Sequence, residues 1–178
     1  MSDKRLLLVN GVTVNEGMIR ERDVLIVGDR IETVGTQLSD AEAEVIDLEG
    51  RLLLPGVIDD QVHFRDPGHP DKATIESESR AAITGGVTSF FDMPNTKPPT
   101  TDRNALAAKK RVAARTSYAN YAFYLGATNT NIEEIRLVTQ RDACAIKVFM
   151  GASTGNMLVD DRDVLSKIFA EATVPVVT

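Results

Sequence analysis

The sequence predicts an α/β protein: a small β-sheet domain, then a partial (β/α)8 TIM barrel comprising about its first five strands. Three observations carry that expectation. Residues 1–55 read as strands and turns alone. From Val57 the texture becomes strand, loop, helix, repeated, which requires a parallel sheet. The polar residues Gln61, His63, Asp92, Asn95 and Lys147 fall late in their strands or just beyond. An open doubly wound sheet shows the same alternation, but in a barrel those strand ends converge on one face, where active sites are built. The segment 56–178 is roughly half of the ~250 residues a barrel usually needs, and it closes on an apolar strand. A truncated barrel is therefore expected.

The elements follow in order. LLLVNGVTV carries a turn signal at Asn10-Gly11, and DVLIVGDRIETVG has the hairpin pattern around Gly28-Asp29. EVIDLEGRLLLPG repeats that pattern around Glu49-Gly50 and ends at the breaker pair Pro55-Gly56. VIDDQVHF is the first strand of the second part. The helix TIESESRAAIT stops at Gly85-Gly86, where glycine serves as C-cap. After the strand VTSFFDMP, Asp102 caps the Ala-rich, basic helix RNALAAKKRVAAR. YANYAFYLGA is a strand, and NIEEIRLVTQR a helix with Asn131 as N-cap. ACAIKVFM is the fourth strand; the GASTGN loop leads to the helix DRDVLSKIFAEA and the fifth strand, VPVVT.

Composition narrows the function classes. Lys plus Arg is 20 and Asp plus Glu 26, a net charge of −6, with 43% hydrophobic and 26% charged residues. That is an ordinary globular composition, unlike disorder, collagen or coiled coil. A pI near 5.0 without a basic cluster argues against a nucleic-acid or anionic-membrane partner. Apolar runs such as Leu6 to Val9 are far short of the ~20 residues that span a bilayer. The N-terminus lacks an apolar core of signal-peptide length, and the single Cys144 fits a reducing compartment, so a cytoplasmic location is expected.

Three segments hold the candidate chemistry. In PGVIDDQVHFRDPG, the period of a strand places Asp59, Gln61, His63 and Arg65 on one face. Such a set facing inward is costly without a metal or anionic ligand; on an exposed strand end it is simply solvated. Lys147 stands among apolar residues in ACAIKVFM, where it either snorkels to the strand end or is buried. Burial favours the neutral amine, which reacts with carbon dioxide to give a carbamate, an anionic ligand able to bridge two metals. In MPNTKPP, three prolines fix a loop from which Asn95 offers a donor and an acceptor, although a structural turn explains the segment equally well. GASTGN lacks the spacing of a phosphate loop and is expected to line the site instead. His69 lies in a polar loop and defaults to solvation. Cys144 has no evident reason to be a thiolate.

Taken together, PGVIDDQVHFRDPG, GGVTSFFDMPNTKPPT and AIKVFMGASTGNMLV, in that order and spacing, resemble the dihydroorotases of the amidohydrolase superfamily, over essentially the whole chain. The resemblance implies a β-sandwich part over 1–55 beside a barrel beginning at 56. It implies the reversible cyclisation of N-carbamoyl-L-aspartate to dihydroorotate, a step of pyrimidine synthesis, at one or two zinc ions. His63 matches the second ligand of the family's His-x-His pair, and Lys147 the lysine that many relatives carboxylate. Arg65 and Asn95 match positions that grip the substrate carboxylate, a task suited to a planar guanidinium. Arg65 favours dihydroorotase over hydantoinase or dihydropyrimidinase, and allantoinases usually place Asn there.

The sequence departs from that pattern at two places. Gln61 replaces the first His of the pair and is a weak zinc ligand, with Asp60 before it where an apolar residue is usual; Asp59 or Asp60 could add an oxygen. The further His ligands and the general-base Asp are expected beyond Thr178, so no catalytic residue is assigned within the chain and the zinc site is incomplete. The chain alone is then expected to be inactive, with a C-terminal half or a second chain completing it and a homodimer as the family's common state. Two alternatives remain: a hydantoinase-like cyclic amidase, or a non-catalytic homologue acting by assembly. Collapsin response mediator proteins and the inactive subunits that support aspartate transcarbamoylase are of the second kind. Gln61 favours it; Arg65, Asn95 and Lys147 count against it.

Overall fold

The computed structural model describes residues 4–152 and 157–178. The chain divides into two units, Met1–Pro55 and Gly56–Thr178, which together make an α/β protein. No helix among the described residues is long and apolar enough to cross a membrane.

In the first unit, β1 (Arg5–Asn15), β2 (Met18–Val27) and β3 (Arg30–Gly35) form an antiparallel meander. Glu16 and Gly17 join β1 to β2 with φ of 50° and 71°, the left-handed turn whose twist suits a hairpin. The turn expected at Asn10-Gly11 is instead a bulge within β1, where the register shifts between Leu8 and Gly11. Asp23 stabilises it by accepting the Asn10 N–H (3.1 Å), while Asn10 Nδ2 donates to Asp47 (3.0 Å). The hairpin expected around Glu49-Gly50 is also corrected. Strands β4 (Glu44–Asp47) and β5 (Leu52–Leu53) both pair with β1, in parallel, rather than with each other. The turn is closed by Arg51 N–H donating to the Leu48 carbonyl (2.9 Å), but it also donates to β1 at Leu48→Val9 (2.9 Å) and Gly50→Asn10 (2.8 Å), so the strands on either side of it run along β1. The described residues of this unit thus form one five-stranded sheet of order β3-β2-β1-β4, with β5 beside β1.

The second unit alternates β6 (Val57–Val62), α1 (Ile75–Thr84), β7 (Val87–Asp92), α2 (Arg103–Thr116), β8 (Asn120–Phe123) with β9 (Leu125–Gly126), α3 (Ile132–Leu137), β10 (Ile146–Lys147), α4 (Arg162–Glu171) and β11 (Val176–Val177). All its strand pairs are parallel, in ladders β6-β7-β8 and β9-β10-β11. Tyr124 alone separates β8 from β9, so the strands follow one another in chain order.

Local chemistry explains the helix ends. Thr74 caps α1 through a reciprocal box with Ser77, Asp102 accepts the Ala105 N–H of α2 (2.7 Å), and Asp161 caps α4. Helix α3 is shorter than expected because the backbone turns extended at Val138, and Thr139 closes a loop onto Asp142 (2.9 Å). Asn131 stands at the N-cap position of α3, as expected, but its side chain makes no capping bond. Its amide is committed to three backbone groups, accepting from Thr128 N–H and donating to the carbonyls of Thr101 and Gly126, each at 2.8 Å.

Burial alternates along the strands. Phe90, Phe123 and Leu125 join the main apolar cluster with Ile75, Leu106, Ile135 and Ile168 from the helices. Phe91 and Tyr124, one residue out of phase, join a second cluster with Met93 and Ala145. Each fully buried side chain of this size contributes about 1.5–3 kcal/mol.

Candidate functional site

The site is built where β6 and β7 end. His63 Nδ1 and Asn95 Oδ1 lie 2.9 Å apart, both half-buried. With an amide oxygen facing it, Nδ1 is the ring nitrogen that donates, and in the neutral tautomer this leaves the lone pair on Nε2. Asn95 Nδ2 then remains available as a donor. The loop carrying Asn95 is held by its own hydrogen bonds: Thr96 Oγ1 donates to the Pro98 carbonyl (2.8 Å) and lies 3.1 Å from Thr100 Oγ1. Lys97 N–H donates to the Pro67 carbonyl (3.1 Å), joining this loop to the one after His63.

The segment bearing His63 is tethered on both sides. Tyr124 Oη donates to the Asp60 carbonyl (2.7 Å), and burial pushes its phenol up to about 12. Phe64 N–H donates to Asp92 Oδ1 (2.9 Å). Asp92 in turn faces Lys109, with Nζ 2.6 Å from Oδ2 and both side chains 1% exposed. Lys109 Nζ also donates to the Met93 carbonyl (3.1 Å) and stands 4.8 Å from the centre of the Phe123 ring. Burial pulls the Lys109 ammonium below the ordinary lysine range, opposed by the attraction of Asp92.

The expected single polar face of β6 does not form. Its pairing with β7 shifts between Asp59 and Val62, and Arg65 adopts φ of 64°, which takes it out of the strand period. Asp59, Asp60 and Gln61 are exposed, with Asp59 Oδ1 accepting the Gln61 N–H (3.1 Å). Arg65 is half-buried, and its guanidinium has no hydrogen-bond or carboxylate partner among the described residues. Lys147, at the end of β10, is buried at 8% exposure, 5.2 Å from the centre of the Phe149 ring and without a carboxylate within 4.0 Å among the described residues. Most of the GASTGN loop, residues 153–156, lies outside the described residues.

The structure therefore brings His63 and Asn95 into contact, and leaves Gln61, Arg65 and Lys147 outside that hydrogen bond. Among the described residues no three His, Cys, Asp or Glu side chains cluster as metal ligands. A zinc site needs three or four protein donors, so His63 and Lys147 alone do not make one.

Three contributors escaped the sequence reading. Lys109 occupies a buried stripe with Leu106 and Ala113, and a lysine at the core spacing of an Ala-rich helix was the available signal. Tyr124 acts through a backbone carbonyl and carried no signal. Gly68, with φ of 111°, packs on Lys97 so closely that no Cβ fits.

Cys144 is half-buried, and burial pushes its thiol up to about 11. At pH 8 about one thiol in a thousand is ionised. Iodoacetamide should leave the native chain unlabelled at that pH and label it fully in urea, as read by intact mass. Rapid native labelling would show the thiol to be open to solvent.

Comparison with known proteins follows the same lines. The family model described as dihydro-orotase-like matches residues 50–152. A dihydroorotase of Carboxydothermus hydrogenoformans is 48% identical over 96 residues, 53% of this chain and 22% of that protein. An allantoinase of Solibacter usitatus is 37% identical over 144 residues, 80% of this chain and 31% of that protein. The solved L-hydantoinase (dihydropyrimidinase) from Arthrobacter aurescens superimposes with a TM-score of 0.84 at 33% identity, over 95% of this chain and 38% of that one. The chain thus spans well under half the length of these relatives.

Proposed function

The chain belongs to the dihydro-orotase-like family of cyclic amidohydrolases, and from that premise we propose that it provides part of the site of a dihydroorotase. The reaction would be the reversible closure of N-carbamoyl-L-aspartate to dihydroorotate in pyrimidine synthesis. The five parallel strands would be the first part of a (β/α)8 barrel. Arg65 supports this reading most directly. Its half-buried guanidinium has no carboxylate partner among the described residues and lies two positions after His63. A free guanidinium binds a carboxylate through two parallel hydrogen bonds, and dihydroorotate carries a carboxylate that hydantoin and dihydrouracil lack.

Each residue has a separate task on this reading. Arg65 anchors the carboxylate, and Asn95 Nδ2 gives it a second, directional donor while Oδ1 stays with His63. His63 presents Nε2. Zinc, if it serves this enzyme, needs donors beyond His63 and Lys147. The remaining ligands, the general base and any homodimer contacts would be contributed outside these residues.

The test is turnover by the protein that carries this chain with its complete donor set. Dihydroorotate should be preferred over hydantoin and dihydrouracil, and Arg65→Ala should abolish that preference by about 10–100-fold in kcat/KM. Unchanged selectivity would sink the assignment. The structural likeness to the L-hydantoinase favours a second reading, a hydantoinase-like amidase, which predicts the reverse order of substrates.

A further inference from the structure

The buried pair of Asp92 and Lys109 makes no hydrogen bond to the His63 or Asn95 side chain among the described residues, and for stability alone two apolar side chains would serve as well. Its contacts point elsewhere. Asp92 Oδ1 accepts the N–H of Phe64, the residue after His63 (2.9 Å). Lys109 Nζ donates to the carbonyl of Met93, two residues before Asn95 (3.1 Å). One pair thus grips the backbone beside each member of the His63–Asn95 contact. A carboxylate acceptor makes a stronger bond than a neutral one, and the ammonium stops it from turning away.

We propose that Asp92 is a positioning residue, with Lys109 balancing its buried charge: its Oδ1 holds the Phe64 N–H so that His63 meets Asn95 through Nδ1. This rests on the reading of His63 and Asn95 as site residues, but the test reads the ring and an amide rather than turnover. A failure of the clamp and a failure of the enzymatic reading are therefore separable.

Two uncharged replacements of the pair isolate the Oδ1 acceptor. Asp92→Asn with Lys109→Met keeps it; Asp92→Leu with Lys109→Met removes it. Nitrogen NMR of the His63 ring, assigned by the signals that His63→Gln removes, reports the tautomer. Hydrogen exchange at Phe64 reports the bond. The leucine pair should fold, lose the fixed Nδ1–H tautomer, and exchange at Phe64 at least about tenfold faster, while the asparagine pair keeps both signals near those of the parent. A folded leucine pair with both signals unchanged would overturn the proposal. A leucine pair that cannot fold when the asparagine pair does would make Oδ1 a requirement of the fold itself, and failure of both would assign the charges to folding. Either result also overturns a separate positioning role.

Discussion

Lys109→Met alone is expected to lower the unfolding free energy by about 3–5 kcal/mol, read as a fall in the urea midpoint at unchanged slope. The shape of the side chain is nearly kept, so the loss comes from Asp92. That carboxylate is 1% exposed, and Oδ2 has no aligned hydrogen-bond donor among the described residues. Removing the ammonium 2.6 Å away leaves a buried charge with one backbone N–H as its compensation. Adding Asp92→Leu to the same chain should recover most of the loss, because the cost of a broken pair is the orphaned charge rather than the missing attraction. A single variant as stable as the parent would mean that water reaches Asp92, contrary to its burial.

Gly68→Ala should cost about 3 kcal/mol, and for a different reason. At φ of 111° a Cβ would lie 2.4 Å from the Lys97 carbonyl oxygen and 2.9 Å from Lys97 Cα. These are backbone atoms and cannot swing aside as a flexible side chain would. The Pro67 carbonyl also accepts the Lys97 N–H (3.1 Å), so pushing the loops apart stretches that bond and disturbs the approach of Asn95 to His63. Gly17→Ala is the control. Its φ of 71° lies beside the left-handed well that alanine can occupy, and nothing lies within 4 Å of its Cβ, so about 1 kcal/mol is expected. Equal midpoints for the two variants would show that the contact with Lys97 contributes nothing.

How far the sequence reached depends on the range of the interaction. The cap at Asp102 is local, set by a carboxylate three residues from its donor, and it was legible; Asp161, read as the first residue of its helix, instead caps it by the same chemistry. Asn131 does occupy the N-cap position of α3, but its amide serves Thr101, thirty residues away, rather than the helix, a competition that spacing cannot display. Asn10-Gly11 carried a real backbone signal, since Asn10 adopts φ of 55°; whether that bends the chain into a turn or a bulge was decided by Asp23 on the neighbouring strand. Likewise Gln61, His63 and Arg65 shared a face only while β6 kept its period, and the Asp92 carboxylate draws the Phe64 amide away from that pattern.

By itself, then, the sequence determined the alternation of strands and helices, the residue types of the candidate site, and the family they belong to. These rest on period, capping and motif, all written within a few turns or strand repeats. Tertiary structure alone decided which of those residues meet. It paired His63 with Asn95, left the Arg65 guanidinium without a partner among the described residues, and set Lys109 against Asp92 in the core. Such contacts join residues many positions apart, and their energies depend on burial and geometry that no local pattern encodes.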